Sequence, residues 1–156
     1  MVNGYGGHVV ALICDGLRTN MTVFSLFENF DPNEPWRVTH PSNPSENLFL
    51  LDDPVHVLKS IRNNWVTEKC EKLRLGNFDS AGSWNHIVVK LYKSQEFLPM
   101  KLTSLTRSAV FPSPIQRQNV ALVLKVFNDK TIAALKSFGG ESTEVTIKTI
   151  QCILDW

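Results

Sequence analysis

The chain opens on an unbroken apolar run. In His8-Val9-Val10-Ala11-Leu12-Ile13-Cys14 every position from Val9 to Cys14 is apolar, so both faces of an extended segment would seek burial. This predicts a central strand of a parallel sheet. The run ends at Asp15-Gly16, which sets a carboxylate at the strand's C-terminal edge, where open α/β sheets concentrate their chemistry. The period then lengthens. Val23, Phe24, Phe27 and Phe30 recur at helical spacing, with Thr19 or Asn20 as N-cap and Asp31-Pro32 as the stop. Residues 31–46 hold four prolines and are expected to form a loop. Leu48-Phe49-Leu50-Leu51 predicts a second short buried strand, again ending in acid at Asp52-Asp53. Pro54 stands at a first helical position behind Asp53 as N-cap. Leu58, Ile61 and Trp65 continue that helix, with Lys59 and Arg62 flanking its apolar stripe. Strand, helix, strand, helix is the order of an α/β layer.

After Gly76 the pattern turns helical. Trp84, Ile87, Val88 and Leu91 mark an amphipathic helix over 83–92. A connector follows from Lys101, containing Phe111-Pro112-Ser113-Pro114. Val120, Leu124 and Phe127, then Ile132, Ala133 and Leu135, mark helical material to Phe138, and Gly139-Gly140 stops it. Val145, Ile147, Ile150, Ile153 and Leu154 begin a last helix. The first strand has interior character yet starts close to Met1, and the last helix reaches Trp156 without a cap. Both ends therefore read as cut, and a continuation is expected on either side.

Composition changes the picture in three ways. The 156 residues are 43% hydrophobic and 20% charged, enough to bury a core. Mean hydropathy is −0.09, and no apolar run reaches the ~18 residues of a membrane span. Cys14, Cys70 and Cys152 are odd in number and far apart, which excludes a disulfide framework and a Cys-x-x-Cys zinc site and points to the cytoplasm or nucleus. Charge is unevenly spread. Residues 1–57 carry two basic and seven acidic side chains, net −5, whereas residues 58–156 carry fourteen basic and eight acidic, net +6. That asymmetry suggests two segments with different roles.

The candidate chemistry is sparse. Asp15 can hold a divalent metal, since Mg²⁺ takes oxygen ligands from few residues; a turn-forming Asp gives the same pattern. Metal-assisted phosphoryl transfer needs two or three converging carboxylates, and Asp52 and Asp53 are the ones able to join Asp15. Asp53 is equally a helix cap. His56 suits an orienting or nucleic-acid contact, or a purely structural one. Lys59, Arg62, Lys69, Lys72 and Arg74 form a basic run tempered by Glu68 and Glu71, suited to phosphate or to a solvated face. No phosphate-binding loop of the form Gly-x-x-x-x-Gly-Lys-[Ser/Thr] and no Gly-x-Gly-x-x-Gly is present. No Ser/His/Asp or Cys/His spacing supports nucleophilic catalysis.

These residues carry a resemblance. Val9 through Asn20 resembles the second catalytic strand of P-element-type transposases, the group that includes THAP-domain transposases. Leu51-Asp52-Asp53-Pro54-Val55-His56-Val57-Leu58-Lys59-Ser60-Ile61-Arg62-Asn63-Asn64 resembles that family's Asp-Pro-Pro-His-Leu-Leu-Lys-x-x-Arg-Asn-Asn signature, with Val55 in place of the second Pro. Lys101-Leu102-Thr103, Asn119 to Asn128 and Ala133-Ala134-Leu135 are similar to the same enzymes' insertion domain.

The resemblance implies a fold class and a function. Residues 1–57 would be the C-terminal part of the first half of an RNase H-like catalytic domain, an α/β fragment. Residues 58–156 would be a mostly α-helical, GTP-binding insertion domain, truncated at its C-terminus. The family's Asp, Asp, Glu triad holds two metal ions. Asp15 corresponds to the second Asp, as catalytic and metal-binding residue. Asp53, His56, Lys59, Arg62 and Asn63 match the signature without an assigned role. Lys101 is the implied phosphate partner of GTP and Phe127 the implied stacking residue. The first Asp and the Glu lie outside the matched region, so the chain is expected not to cleave or join DNA alone. The implied cofactors are Mg²⁺ and GTP. The implied partners are DNA, GTP and a second copy of the chain, with no membrane, and the implied compartment is the nucleus. Two alternatives stand beside this: a non-enzymatic GTP- or nucleic-acid-binding module, and an interaction domain co-opted by a host.

Overall fold

The computed structural model describes residues 7–16, 18–67, 72–73 and 81–155. The chain forms two compact units, residues 1–57 and 58–156, and the division falls where the charge changes sign.

The N-terminal unit is a small sheet with one helix. Strand β1 (Ala11–Cys14) pairs in parallel with β3 (Asn43–Asp52), and β2 (Arg37–His40) pairs antiparallel with β3, giving the order β1-β3-β2. The centre is β3, so the interior place expected for β1 is corrected: among the described residues it has one neighbour. The proline-rich stretch is also corrected, because 37–40 and 43–46 form part of a hairpin rather than a loop. Pro44 lies before β3 meets β1 at Phe49, where its missing N–H costs least. His40 is buried and ties the hairpin down, its Nε2 lying 3.0 Å from the Val9 carbonyl while its Nδ1 accepts from Ser42 N–H.

Helix α1 (Arg18–Ser25) ends sooner than the phenylalanine spacing predicts. Phe27 and Phe30 follow in turns, helped by Asn29 at φ 63°, a left-handed position that Asn tolerates. They still pack beside Phe24, Val38, Leu48 and Leu50, the core of this unit. The opposite sheet face carries Ile13 and Leu51 side by side in register, with Phe49 stacked on Trp36, all exposed.

The C-terminal unit has a larger core. Helix α2 (Pro54–Val66) starts at its proline as expected and brings in Trp65, which is fully buried. Strands β4 (Lys72–Leu73) and β5 (Gly82–Ser83) pair antiparallel. The segment expected as an α-helix over 83–92 winds mostly as a π-helix, His86–Tyr92, and runs into a 3₁₀ turn, Lys93–Gln95. Helices α3 (Arg107–Val110), α4 (Val120–Leu124), α5 (Asp129–Phe138) and α6 (Glu144–Leu154) complete the unit. Asn128 caps α5 by accepting from Thr131 N–H at 3.0 Å, and Gly140 at φ 71° takes the chain out of it.

Trp65 organises this core. It meets Trp84 edge-on at 5.6 Å, stacks on Phe127 at 6.3 Å, and donates from Nε1 to the Gly82 carbonyl at 3.1 Å. Gly82 is required there. A Cβ on it would stand 2.6 Å from Thr149 Oγ1 and 3.0 Å from Trp65 Cζ2.

Candidate functional site

In the N-terminal unit, parallel pairing sets the C-terminal ends of β1 and β3 next to each other. Cys14 is in register with Asp52, and Asp53 N–H donates to the Cys14 carbonyl at 2.7 Å. Asp15 and Asp53 are the next residues on each strand, so the two acid-terminated strands meet at one edge.

Asp15 is half-buried. Asn20, on the first turns of α1, donates from Nδ2 to Asp15 Oδ1 at 2.5 Å and to its carbonyl at 3.3 Å. The N-cap role expected for Asn20 is thus corrected: α1 already starts at Arg18, and the amide fixes the carboxylate instead. Asp52 is exposed, and its Oδ1 lies 3.8 Å from where a Cβ on Gly16 would stand. Burial, then the charges of Asp52 and Asp15, push the Cys14 thiol above its ordinary pKa. The edge is therefore electronegative and disfavours a thiolate.

Asp53 is committed locally. Its Oδ1 accepts from Val55 N–H at 3.0 Å, which caps α2, and its Oδ2 lies 2.5 Å from His56 Nδ1. His56 is about half exposed. The His–Asp contact fixes the imidazole's orientation.

The remaining signature residues belong to the C-terminal unit. Lys59 is partly exposed. Arg62 does not flank the apolar stripe, as the sequence suggested, but is completely buried. Its spacing from Leu58 and Trp65 puts it on the same helix face. Its Nη2 donates to the carbonyls of Gln116 at 3.3 Å and Arg117 at 3.0 Å, and Asn63 Nδ2 donates to the Arg117 carbonyl at 3.2 Å. Arg62 and Asn63 therefore pin the 3₁₀ turn Gln116–Gln118. Arg117 gave no signal in the sequence. Lys69 and Arg74 lie outside the described residues, as does the side chain of Lys72.

Lys101 is exposed, and the two residues after it are fixed: Leu102 and Thr103 N–H both donate to Gln95 Oε1, at 3.0 and 3.2 Å. The stacking role implied for Phe127 is corrected. Its ring is 2% exposed and faces Trp65, which leaves no open face for a nucleobase.

Among the described residues no group of three or more His, Cys, Asp or Glu side chains is placed to hold a metal ion. Asp15 and Asp52 offer oxygen donors of the kind Mg²⁺ takes, and Mg²⁺ often binds through one or two carboxylates while keeping several waters. The edge fits part of a metal site and not a complete two-metal site. No helix of the described residues is long and apolar enough to cross a membrane.

No family model matches the chain, and no curated protein sequence matches it. The fold does find a likeness. A chain of the Drosophila P element transposase strand transfer complex is similar over 98% of this chain, with a TM-score of 0.76 and 18% sequence identity. At that identity the likeness is one of fold, and at this level the resemblance to P-element-type transposases holds. The match covers 34% of the transposase chain, so this chain spans about a third of its length.

Proposed function

We propose that this chain is a segment of a P-element-like DNA transposase. Residues 1–57 supply one carboxylate, Asp15, to an RNase H-like catalytic centre, and residues 58–156 are an insertion domain that binds GTP. The observation that supports this most is the likeness to the transposase over 98% of the chain, with Asp15 at the shared end of two parallel strands.

Within that reading each residue has a defined task. Asp15 presents a carboxylate whose orientation Asn20 fixes, and Asp52 adds negative charge beside it. Together they would hold Mg²⁺, which supplies polarisation of a scissile phosphate and a lower pKa for the attacking hydroxyl. The other acids of the triad come from elsewhere in the enzyme, so residues 1–156 bind metal weakly and do not cut DNA themselves. Lys101 is the phosphate partner for GTP on its fixed turn. DNA is the partner of the whole enzyme, which acts in the nucleus as an assembly of copies.

The test is Mn²⁺ titration of the isotope-labelled chain. Paramagnetic broadening confined to residues 14–16 and 52–53, and lost in Asp15→Asn, is the expected result. Broadening that spares those residues, or that survives Asp15→Asn unchanged, rejects the assignment of Asp15. Calorimetry with GTP, on wild type and Lys101→Ala, checks the second half.

A second reading is favoured by the charge of residues 58–156, net +6. In it the C-terminal unit binds nucleotide or nucleic acid without chemistry. GTP binding in the absence of any metal site at Asp15 selects this reading.

A further inference from the structure

The C-terminal unit buries a charge that its own residues leave largely uncompensated. Arg62 is 0% exposed, and while Nη2 serves two carbonyls, Nε and Nη1 are buried without a hydrogen-bond partner. Arg117, whose carbonyl receives Nη2, has a buried Nε that also lacks a partner. Asn63 donates to the same carbonyl, and its Oδ1 is buried and unpaired. Helix α2 and the Gln116–Gln118 turn thus bring together two guanidinium groups with three unpartnered nitrogens, Arg62 Nε and Nη1 and Arg117 Nε, and an amide oxygen. Among the described residues, no carboxylate forms an ion pair with either arginine.

Elementary energetics makes this arrangement incomplete. Taking a guanidinium out of water costs several kcal/mol even after relaxation, and two carbonyl contacts return only part of that. A second cation beside it adds repulsion. Burial first, and then the charge of Arg117, hold the Arg62 pKa below its ordinary value. The guanidinium nonetheless stays protonated at neutral pH. An anion whose oxygens accept several N–H bonds at once would balance two such groups. Phosphate is the oxyanion that arginine clusters recognise best.

We propose that Arg62, Arg117 and Asn63, on α2 and the Gln116–Gln118 turn, form a binding site for a phosphate group. The two arginines supply the charge-assisted donors. Asn63 Oδ1 accepts from a protonated phosphate oxygen or from a bridging water. This site is separate from the GTP assignment above, which uses Lys101, and it does not rest on that assignment. A nucleotide phosphate, a nucleic-acid backbone and free phosphate share the chemistry, and the experiment distinguishes them.

The full 156-residue chain is titrated with inorganic phosphate against chloride at matched ionic strength, following the arginine Nε–Hε resonances and the melting temperature. Saturable shifts of the Arg62 and Arg117 signals and a rise in Tm are expected. Arg117→Gln removes one charged donor and is expected to weaken binding about tenfold or more. Arg62→Met keeps side-chain volume without the charge, and is expected to abolish stabilisation by phosphate. If that variant fails to fold, Arg117→Gln and the wild-type titration carry the test. GTP and a short DNA duplex are then run in parallel. Tighter binding of GTP identifies a nucleotide, and tighter, salt-sensitive binding of DNA identifies a backbone phosphate. Phosphate binding without preference for GTP or DNA keeps this site and assigns it to free phosphate, leaving the Lys101 assignment to its own calorimetric test. Absence of saturable shifts with all three ligands overturns the proposal. So does binding that Arg117→Gln leaves unchanged, which reduces Arg62 to a clamp on the turn.

Discussion

In residues 1–57 Asp15, Asp52 and Asp53 sit at one edge of a small sheet whose core is Phe24, Val38, Leu48 and Leu50. In residues 58–156 polar groups go inside. Thr131, Thr143, Thr146 and Thr149 are buried with Arg62 and Gln95 among the helices around Trp65. The first arrangement leaves Asp52 exposed and Asp15 half-buried, the latter held by one amide from α1. The second spends its polar groups on backbone: Thr149 Oγ1 donates to the Val145 carbonyl at 2.8 Å, and Gln95 Oε1 accepts two amides. Where such groups are fully satisfied they stabilise the fold. Gln95 keeps one buried, unpartnered Nε2, whereas at Arg62 two nitrogens are left over beside those of Arg117 and Asn63, which is the cluster that motivates the phosphate proposal.

The largest test of the contrast is truncation of each core. Trp65→Ala removes a fully buried ring from three contacts, including its hydrogen bond to the Gly82 carbonyl. A loss of about 3–5 kcal/mol is expected. Leu48→Ala opens a smaller cavity in the sheet unit and is expected to cost about 2–4 kcal/mol. Chemical denaturation gives the totals. Hydrogen exchange assigns them, with protection falling in α5 and α6 for the first variant and in β2 and β3 for the second. Equal loss of protection everywhere would break the distinction between the cores.

A smaller effect tests how tightly the helical core is packed. Gly82→Ala pushes a methyl against Thr149 and the Trp65 ring, and should cost about 1–3 kcal/mol. Thr149→Ala in the same background frees the space that the methyl needs. The double variant is expected to be more stable than the sum of the single losses, because the two sites share one contact. Simple additivity would mean that Gly82 is not held by packing.

The sequence displayed some of this plainly and hid the rest for physical reasons. Helix α2 was legible to its first residue because Asp53 and Pro54 are strong local signals, and α5 ended where Gly139-Gly140 stood. Strand β2 was hidden because prolines on either side outweighed a four-residue alternation. The π-helical winding of 86–92 has no sequence signature at the level of hydrophobic spacing. At the candidate site, the acidic ends of β1 and β3 were readable, but their meeting depended on parallel pairing, which no local pattern encodes. The charge of Arg62 argues for solvent, whereas its spacing from Leu58 and Trp65 places it inward, and the spacing wins. The resemblance implies stacking for Phe127 while its helical spacing puts it in an apolar stripe, and burial decides for the core. Arg117 was invisible, since its importance comes from a contact across about 55 residues.

The smallest effect concerns protonation inside the helical core. His86 Nδ1 lies 2.8 Å from Thr146 Oγ1, which in turn accepts from Ser83 N–H at 3.0 Å. Burial first, and then the charge of Lys90, hold the His86 pKa below its ordinary 6.5. The folded state therefore resists a proton that the unfolded chain accepts. Above pH 6.5 both states are neutral at this residue and stability does not depend on it. As pH falls below that value, the unfolded state binds the proton first, and stability declines until the folded state protonates as well. Urea midpoints measured from pH 8 to pH 5 should decline for the wild type, and decline less for His86→Asn, which keeps a polar partner for Thr146 but does not titrate. Identical declines in the two proteins would move the pH response away from His86.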